Sequence, residues 1–196
     1  MMQRAALREE RALSFETYTS DGGRASAWDV PGDAPGLRGR RLGFGYAREV
    51  VAYFSRFPER VSERLLEAIV LEPAFATEKR RAIREGFTGG LTAAAVATWP
   101  RPLLESRQHP PPFEGPYGRF VWHIGTFGRA VADPAWQVSR GTAFARAWLV
   151  HVRSDPLAAA VNWLDRIVTA EAFRDEKWSG CRSAFLREVQ IVLRTP

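Results

Sequence analysis

At 196 residues, with 45% hydrophobic and 26% charged side chains, the chain can bury a real core and has an ordinary globular composition. No apolar run approaches the roughly 18–20 residues needed to span a bilayer, Met1 to Leu13 has no apolar signal region, and the single cysteine, Cys181, excludes an internal disulfide framework and any cysteine-rich zinc site. A soluble, cytoplasmic protein is expected, and its net charge of +6 and pI near 10.2 favour polyanionic or acidic partners.

The basic residues are almost all of one kind. Only Lys79 and Lys177 are lysine, and Asn162 is the only asparagine. A GC-rich genome favours arginine codons and explains this bias without function. Selection for guanidinium groups, which grip phosphates bidentately and stack on bases, is the second explanation, and the two are compatible. The excess is +2 over residues 1–100 and +4 over residues 101–196, so there is no detachable basic arm.

Met1 to Arg11 carries helical pairs at four-residue spacing, Arg4/Arg8 and Ala5/Glu9, with few apolar anchors. From Leu13 to Val30 the period becomes two on either side of Ser20-Asp21-Gly22-Gly23, which predicts a β-hairpin. A lone hairpin is marginal, so it must lie on helices or join another strand; Ala68 to Glu72 and Val189 to Leu193 are rich enough in branched apolar residues to be sheet members. Pro31 to Gly45 holds two prolines and five glycines and reads as the least structured part, a linker or a loop that orders on a ligand.

Helices resume near Tyr46, where Val50, Val51, Phe54 and Phe57 form a stripe. Pro58 opens a second helix with Val61, Leu65, Ala68 and Ile69, and Pro73 and Gly86 bracket a third that carries Lys79, Arg80, Arg81 and Arg84. Leu91 to Trp99 is alanine-rich and stops at Pro100. Residues 100–116 hold six prolines, three in succession, and predict a rigid extended strap, with a domain boundary as the alternative.

Tyr117 to Leu193 reads as the helical block around which the rest packs, with Trp122, Trp136, Trp148, Trp163 and Trp178 in it. Asp133-Pro134 and Asp155-Pro156 are helix openings, the Asp accepting from a free N–H of the first turn and the proline sitting where no N–H is needed. Leu157, Val161, Leu164, Ile167 and Val168 form the cleanest amphipathic stripe, and Phe185, Val189 and Val192 point inward from a last helix. The echoes Phe120-Val121-Trp122-His123 and Trp148-Leu149-Val150-His151 are too short to make an internal repeat. The expected fold is a single domain, mainly α with six to eight helices and a small N-terminal β-hairpin. The alternative is α+β with a small sheet.

Little in the sequence points to a chemical site. His109, His123 and His151 lack metal-ligand spacing, and Cys181 has no histidine nearby in sequence. Gly43-Phe44-Gly45 has Arg48 where a dinucleotide fingerprint needs its third glycine. Asp175-Glu176-Lys177 with Asp165 is a weak nuclease pattern, better explained as a solvated loop. No cofactor or metal is implied.

Two basic clusters remain: Arg38, Arg40 and Arg41 in the glycine-rich segment, and Lys79, Arg80, Arg81 and Arg84 on a helix. Such a ridge and loop suit a phosphate backbone, although Glu78 and Glu85 can equally neutralise the helical cluster. The leading expectation is therefore a non-enzymatic nucleic-acid-binding or nucleoprotein-associated accessory protein. The second is a protein–protein adaptor or inhibitor that meets an acidic partner through arginine and exposed aromatics such as Trp99, Trp136 or Trp178. The third is an enzyme with a site near the strap, built from His109, Glu114 and His123.

Overall fold

The computed structural model describes residues 13–58, 64–98, 132–154 and 162–194. They form a mainly α protein with a small N-terminal antiparallel hairpin. The expected helix over Met1 to Arg11, the proline strap and Asp155-Pro156 lie outside the described residues.

The hairpin pairs β1 (Thr17–Tyr18) with β2 (Arg24–Ser26) in the register Thr17↔Ser26 and Tyr18↔Arg24, with an irregularity between them. Gly22 takes a positive φ of 89° at its turn, and Thr19 N donates to Gly23 O at 2.7 Å. The hairpin lies on helices and, among the described residues, joins no larger sheet. Its flanks send Leu13, Phe15, Ala27, Trp28 and Val30 into the core, where Trp28 meets Phe75 and Phe87 edge-on at 4.9 Å each. Such pairs contribute roughly 0.5–1.5 kcal/mol beyond the area they bury. Ala68 to Glu72 and Val189 to Leu193, weighed as strands, are helical apart from the bend at Glu72.

Helix α1 (Gly36–Arg56) overturns the loop expected over Pro31 to Gly45. Pro35 supplies no side-chain cap, and glycine inside a helix costs about 1 kcal/mol relative to alanine. The glycines are there because the next long helix lies against them. A Cβ on Gly43 would stand 2.7 Å from Phe87 N, and one on Gly90 would stand 2.6 Å from the Ala47 Cβ. Gly39, Gly43 and Ala47 on one helix face Ala82, Gly86 and Gly90 on the other, all at four-residue spacing.

That partner differs from the expected third helix. Short 3₁₀ turns at Pro73–Ala76 and Glu78–Arg80 precede it, and the α-helix runs unbroken through Gly86 as α3 (Arg81–Thr98). Between α1 and α3 comes α2 (Leu65–Leu71), which at seven residues is too short to hold itself. Gln190 Oε1 accepts from Leu66 N at 3.2 Å at its start, and Arg174 donates to Val70 O and Leu71 O at its end.

The second half holds α4 (Pro134–Ser154), α5 (Trp163–Thr169), α6 (Glu171–Arg174), a 3₁₀ turn at Glu176–Trp178, and α7 (Ser179–Arg194). As expected, Ala135 N donates to Asp133 Oδ1 at 2.9 Å where α4 opens. Leu164, Ile167, Val168, Phe185 and Val189 are buried as their spacing requires.

These elements correct the expectation that no internal repeat exists. The second half begins each element 98 residues after its counterpart in the first: Gly36 and Pro134, Leu65 and Trp163, Pro73 and Glu171, Glu78 and Glu176, Arg81 and Ser179. At the same spacing the sequence repeats Gly43/Gly141, Leu66/Leu164, Ile69/Ile167, Val70/Val168, Phe75/Phe173, Lys79/Lys177, Arg84/Arg182 and Phe87/Phe185. The packing repeats with it. Cys181, against which a Cβ on Gly141 would press, is the counterpart of Ile83, against which one on Gly43 would press.

The halves meet reciprocally, as copies do at an isologous interface. Leu66, Val70 and Leu91 lie with their counterparts Leu164, Val168 and Val189 around one small cavity. Arg84 of the first half donates through Nε to Asp165 of the second at 2.9 Å and through NH1 to Phe75 O at 3.3 Å. Arg182 of the second half donates through Nε to Glu67 of the first at 3.3 Å and through NH1 to Phe173 O at 3.2 Å. Among the described residues the core is one continuous cluster drawn from both halves.

Candidate functional site

The structure brings the two basic clusters to one end of the α1–α3 pair and sorts their members. Glu85 joins them, accepting from Arg40 (NH2 at 2.8 Å) and from Arg81 (Nε at 2.9 Å). Burial opposes ionisation of Glu85, but the hydrogen bonds from Arg81 and Arg40 hold its carboxyl below the ordinary range. Arg81 also meets Glu78 at 3.3 Å. Arg80 sits in the 3₁₀ turn and donates to Val30 O at 3.0 Å, so it does not share a helix face with Arg84. Arg84 is buried on Asp165 and takes no part in the surface.

Arg38, Arg41 and Lys79 are exposed, and no partner is seen for them among the described residues. Arg48, absent from the sequence-based clusters, completes their surface. The buried positions Gly39, Gly43, Ala47, Val50 and Phe54 fix one side of α1, and Arg41 and Arg48, seven apart, centre the opposite side. Leu37 and Phe44 flank this row, 64% and 44% exposed. The only acid on α1, Glu49, is turned to Ser14, accepting from its backbone N and from its Oγ at 2.7 Å. The signal for Arg48 was its spacing from Arg41, legible only once α1 is known to start at Gly36.

Two open clefts form the second feature, and they are counterparts under the internal repeat. One holds the Arg84–Asp165 pair, with a volume of about 620 Å³. The other holds the Arg182–Glu67 pair, with a volume of about 750 Å³. Their floors match, and their walls have diverged: Arg40, Arg81 and Glu85 of the first are Val138, Ser179 and Ser183 in the second. Burial pushes the Asp165 carboxyl above its ordinary range against the opposing pull of Arg84. Burial likewise lowers the Arg174 guanidinium, helped by its neighbours Arg182 and Arg84.

Other candidates resolve quickly. Asp175 caps its own 3₁₀ turn, accepting from Lys177 N at 3.0 Å and meeting Lys177 Nζ at 2.8 Å, while Asp165 is held by Arg84. Among the described residues no group of His, Cys, Asp and Glu is placed to hold a metal ion. His109, Glu114, His123 and Trp99 lie outside the described residues. Trp178 is buried, and Trp136 is half-buried with its ring 6.2 Å from that of Trp178, so neither offers an open aromatic face of the kind expected for an adaptor. Cys181 is buried, which pushes its thiol up to about 11. No described helix is long and apolar enough to cross a membrane. Comparison with protein families, curated proteins and solved structures finds no match to this chain.

Proposed function

We propose that the protein is a non-enzymatic nucleic-acid-binding accessory protein and that it grips phosphates with the arginine row of α1. The observation that carries this is the row itself: Arg38, Arg41 and Arg48 stand exposed on one helix whose only acid is occupied elsewhere. Lys79 extends it at one end, where Arg40 and Arg81 are already paired with Glu85 and Glu78. A line of guanidinium groups along a helix suits a phosphate backbone, and the exposed Phe44 beside it offers a ring on which a base can stack.

The test is fluorescence anisotropy with labelled single- and double-stranded DNA and RNA, titrated at several salt concentrations. The affinity should fall log-linearly with salt. Arg38→Ala/Arg41→Ala/Arg48→Ala should flatten the slope by roughly 2–3, the value for three lost phosphate contacts. Flat anisotropy at low salt, or an unchanged slope in the triple variant, overturns the proposal. The exposed Leu37 beside the row favours an acidic protein as the competing partner. A pull-down that recovers an acidic protein and is abolished by the same variant, with no polynucleotide binding, would establish it instead.

A further inference from the structure

The internal repeat supplies a control for the surface of α1. The equivalent face of the other copy belongs to α4, where Arg41, Phe44, Gly45 and Arg48 become Ser139, Thr142, Ala143 and Arg146. The fold therefore tolerates a bland surface at this place, and the arginine and aromatic side chains of α1 are not needed to build it. The arginine common to both copies also differs in its surroundings. Arg146 meets Glu188 at 3.9 Å, whereas the counterpart of Glu188 is Gly90, and Arg48 has no partner among the described residues. Gly90 also seats the aromatic ring: a Cβ there would stand 3.2 Å from Phe44 Cδ2. Phe44 thus rests one edge on α3 while remaining 44% exposed.

Gly45 is the one glycine of α1 beyond its first turn that packing does not explain. Gly39 and Gly43 admit α3, but a Cβ on Gly45 would meet nothing within 4 Å, and the residue faces solvent. Glycine in the middle of a helix weakens it, and the other copy carries Ala143 here. The position has a second property. Arg41 and Arg48 stand two turns, about 10 Å, apart along the axis. The gap between them is bordered by Phe44 on one side and by the bare helix at Gly45 on the other. Nearby acids do not oppose an anion in this gap, since Glu49 is turned to Ser14 and Glu85 is engaged by Arg40 and Arg81. A ring, a floor without a side chain and a guanidinium at either end are complementary to one flat base and the phosphates that flank it.

We propose that α1 takes single-stranded rather than duplex polynucleotide, with an unstacked base laid against Phe44 over Gly45 and its flanking phosphates at Arg41 and Arg48. This rests on the nucleic-acid reading given above and narrows it to one class of polymer. In a duplex each base face is covered by its neighbours, so a surface ring beside the arginines gains nothing from it; in a single strand the face is available. Every base has such a face, so the site is tolerant of sequence. The absence of a Cβ at Gly45 lets the base approach the helix backbone closely.

The test is anisotropy of the full chain with labelled oligothymidylate, oligouridylate and a duplex of equal length, over a series of salt concentrations. At near-physiological salt both single strands should bind about fivefold or more tightly than the duplex, the lower end of what one base–aromatic stack contributes. Phe44→Thr with Gly45→Ala copies the residues of α4 and should remove that advantage while leaving duplex affinity and the salt slope unchanged, because no charge is lost. Gly45→Leu places a good helix former at an exposed position, so the urea midpoint should not fall. Its side chain fills the gap, however, and single-strand affinity should drop about fivefold, a combination that a purely structural role for Gly45 does not produce. Duplex binding as tight as single-strand binding, or unchanged single-strand affinity in either variant, overturns this inference and leaves the arginine row standing. No binding of any polynucleotide, including recovery of an acidic protein in its place, overturns both.

Discussion

Replacing Gly43 by alanine tests the closest approach in the fold. The new Cβ would stand 1.8 Å from Ile83 O, 2.7 Å from Phe87 N and 2.8 Å from the Ile83 carbonyl carbon, all of which belong to the backbone of α3 and cannot rotate away. Restoring an ordinary contact of about 3.3 Å moves α1 off α3 by roughly 1.5 Å, beyond the roughly 0.5–1 Å gap that already forfeits about a quarter to a half of the dispersion well of each pair across it. The pairs at stake involve Ala47, Val50 and Phe54 on one helix and Ile83, Phe87 and Leu91 on the other, all buried. Overpacking of this kind costs roughly 1–3 kcal/mol after the structure relaxes, even though alanine itself gains about 1 kcal/mol in a helix. Gly45, two residues on in the same helix, is exposed and has nothing within 4 Å of its built Cβ. Gly45→Ala should therefore stabilise by about 0.5–1 kcal/mol. Equilibrium urea unfolding followed by tryptophan fluorescence reads both changes. If Gly43→Ala moves the midpoint in the same direction as Gly45→Ala, the helices are not in contact at this glycine and the account of α1 is wrong.

Breaking the buried Arg84–Asp165 pair with Arg84→Met should cost about 3–5 kcal/mol, whereas Arg84→Met with Asp165→Leu should recover most of it, because no uncompensated charge is left; the same urea series decides. Since burial raises the Asp165 pKa, the group's contribution falls as pH rises from its ordinary value of 3.8 through the raised one, and is level above. Asp165→Asn should remove that decline from the stability–pH profile, and an unchanged profile would show that Asp165 is solvated. Cys181, fully buried with its thiol pushed up to about 11, should react with iodoacetamide at pH 8 only as fast as the protein unfolds. Labelling that is complete within minutes under native conditions would contradict its burial.

How far the fold was legible depends on the segment. The hairpin could be read because period-two alternation and a Ser-Asp-Gly-Gly turn are local signals, and the opening of α4 because Asp133-Pro134 is a capping pair. The start of α1 is hidden because glycine more often marks a turn, and the spacing of four between Gly39, Gly43 and Ala47 is a packing code only when a partner helix carries its own. Gly86 misled in the same way within α3. The repeat is present in the residues but diluted: its identities, such as Phe75/Phe173 and Arg84/Arg182, are scattered at a 98-residue offset and never run beyond two in succession. The fate of the basic clusters was not legible at all. Nothing local distinguishes Arg84, which is buried against an acid 81 residues away, from Arg41, which faces solvent.

The exchange of charges between halves has a consequence for how the chain matures. Translation delivers Arg84 81 residues before Asp165, and Glu67 115 residues before Arg182. Throughout that interval the first half holds a guanidinium and a carboxylate that its own residues do not neutralise, at positions destined for the interior. Closing its core early would strand both, so the emerging half stays unsettled until its other half follows. Completing the core therefore requires α7, and contacts so distant in sequence are the kind that form late. A ribosome stalled before α7 would display an arrested intermediate with Glu67 still exposed to water.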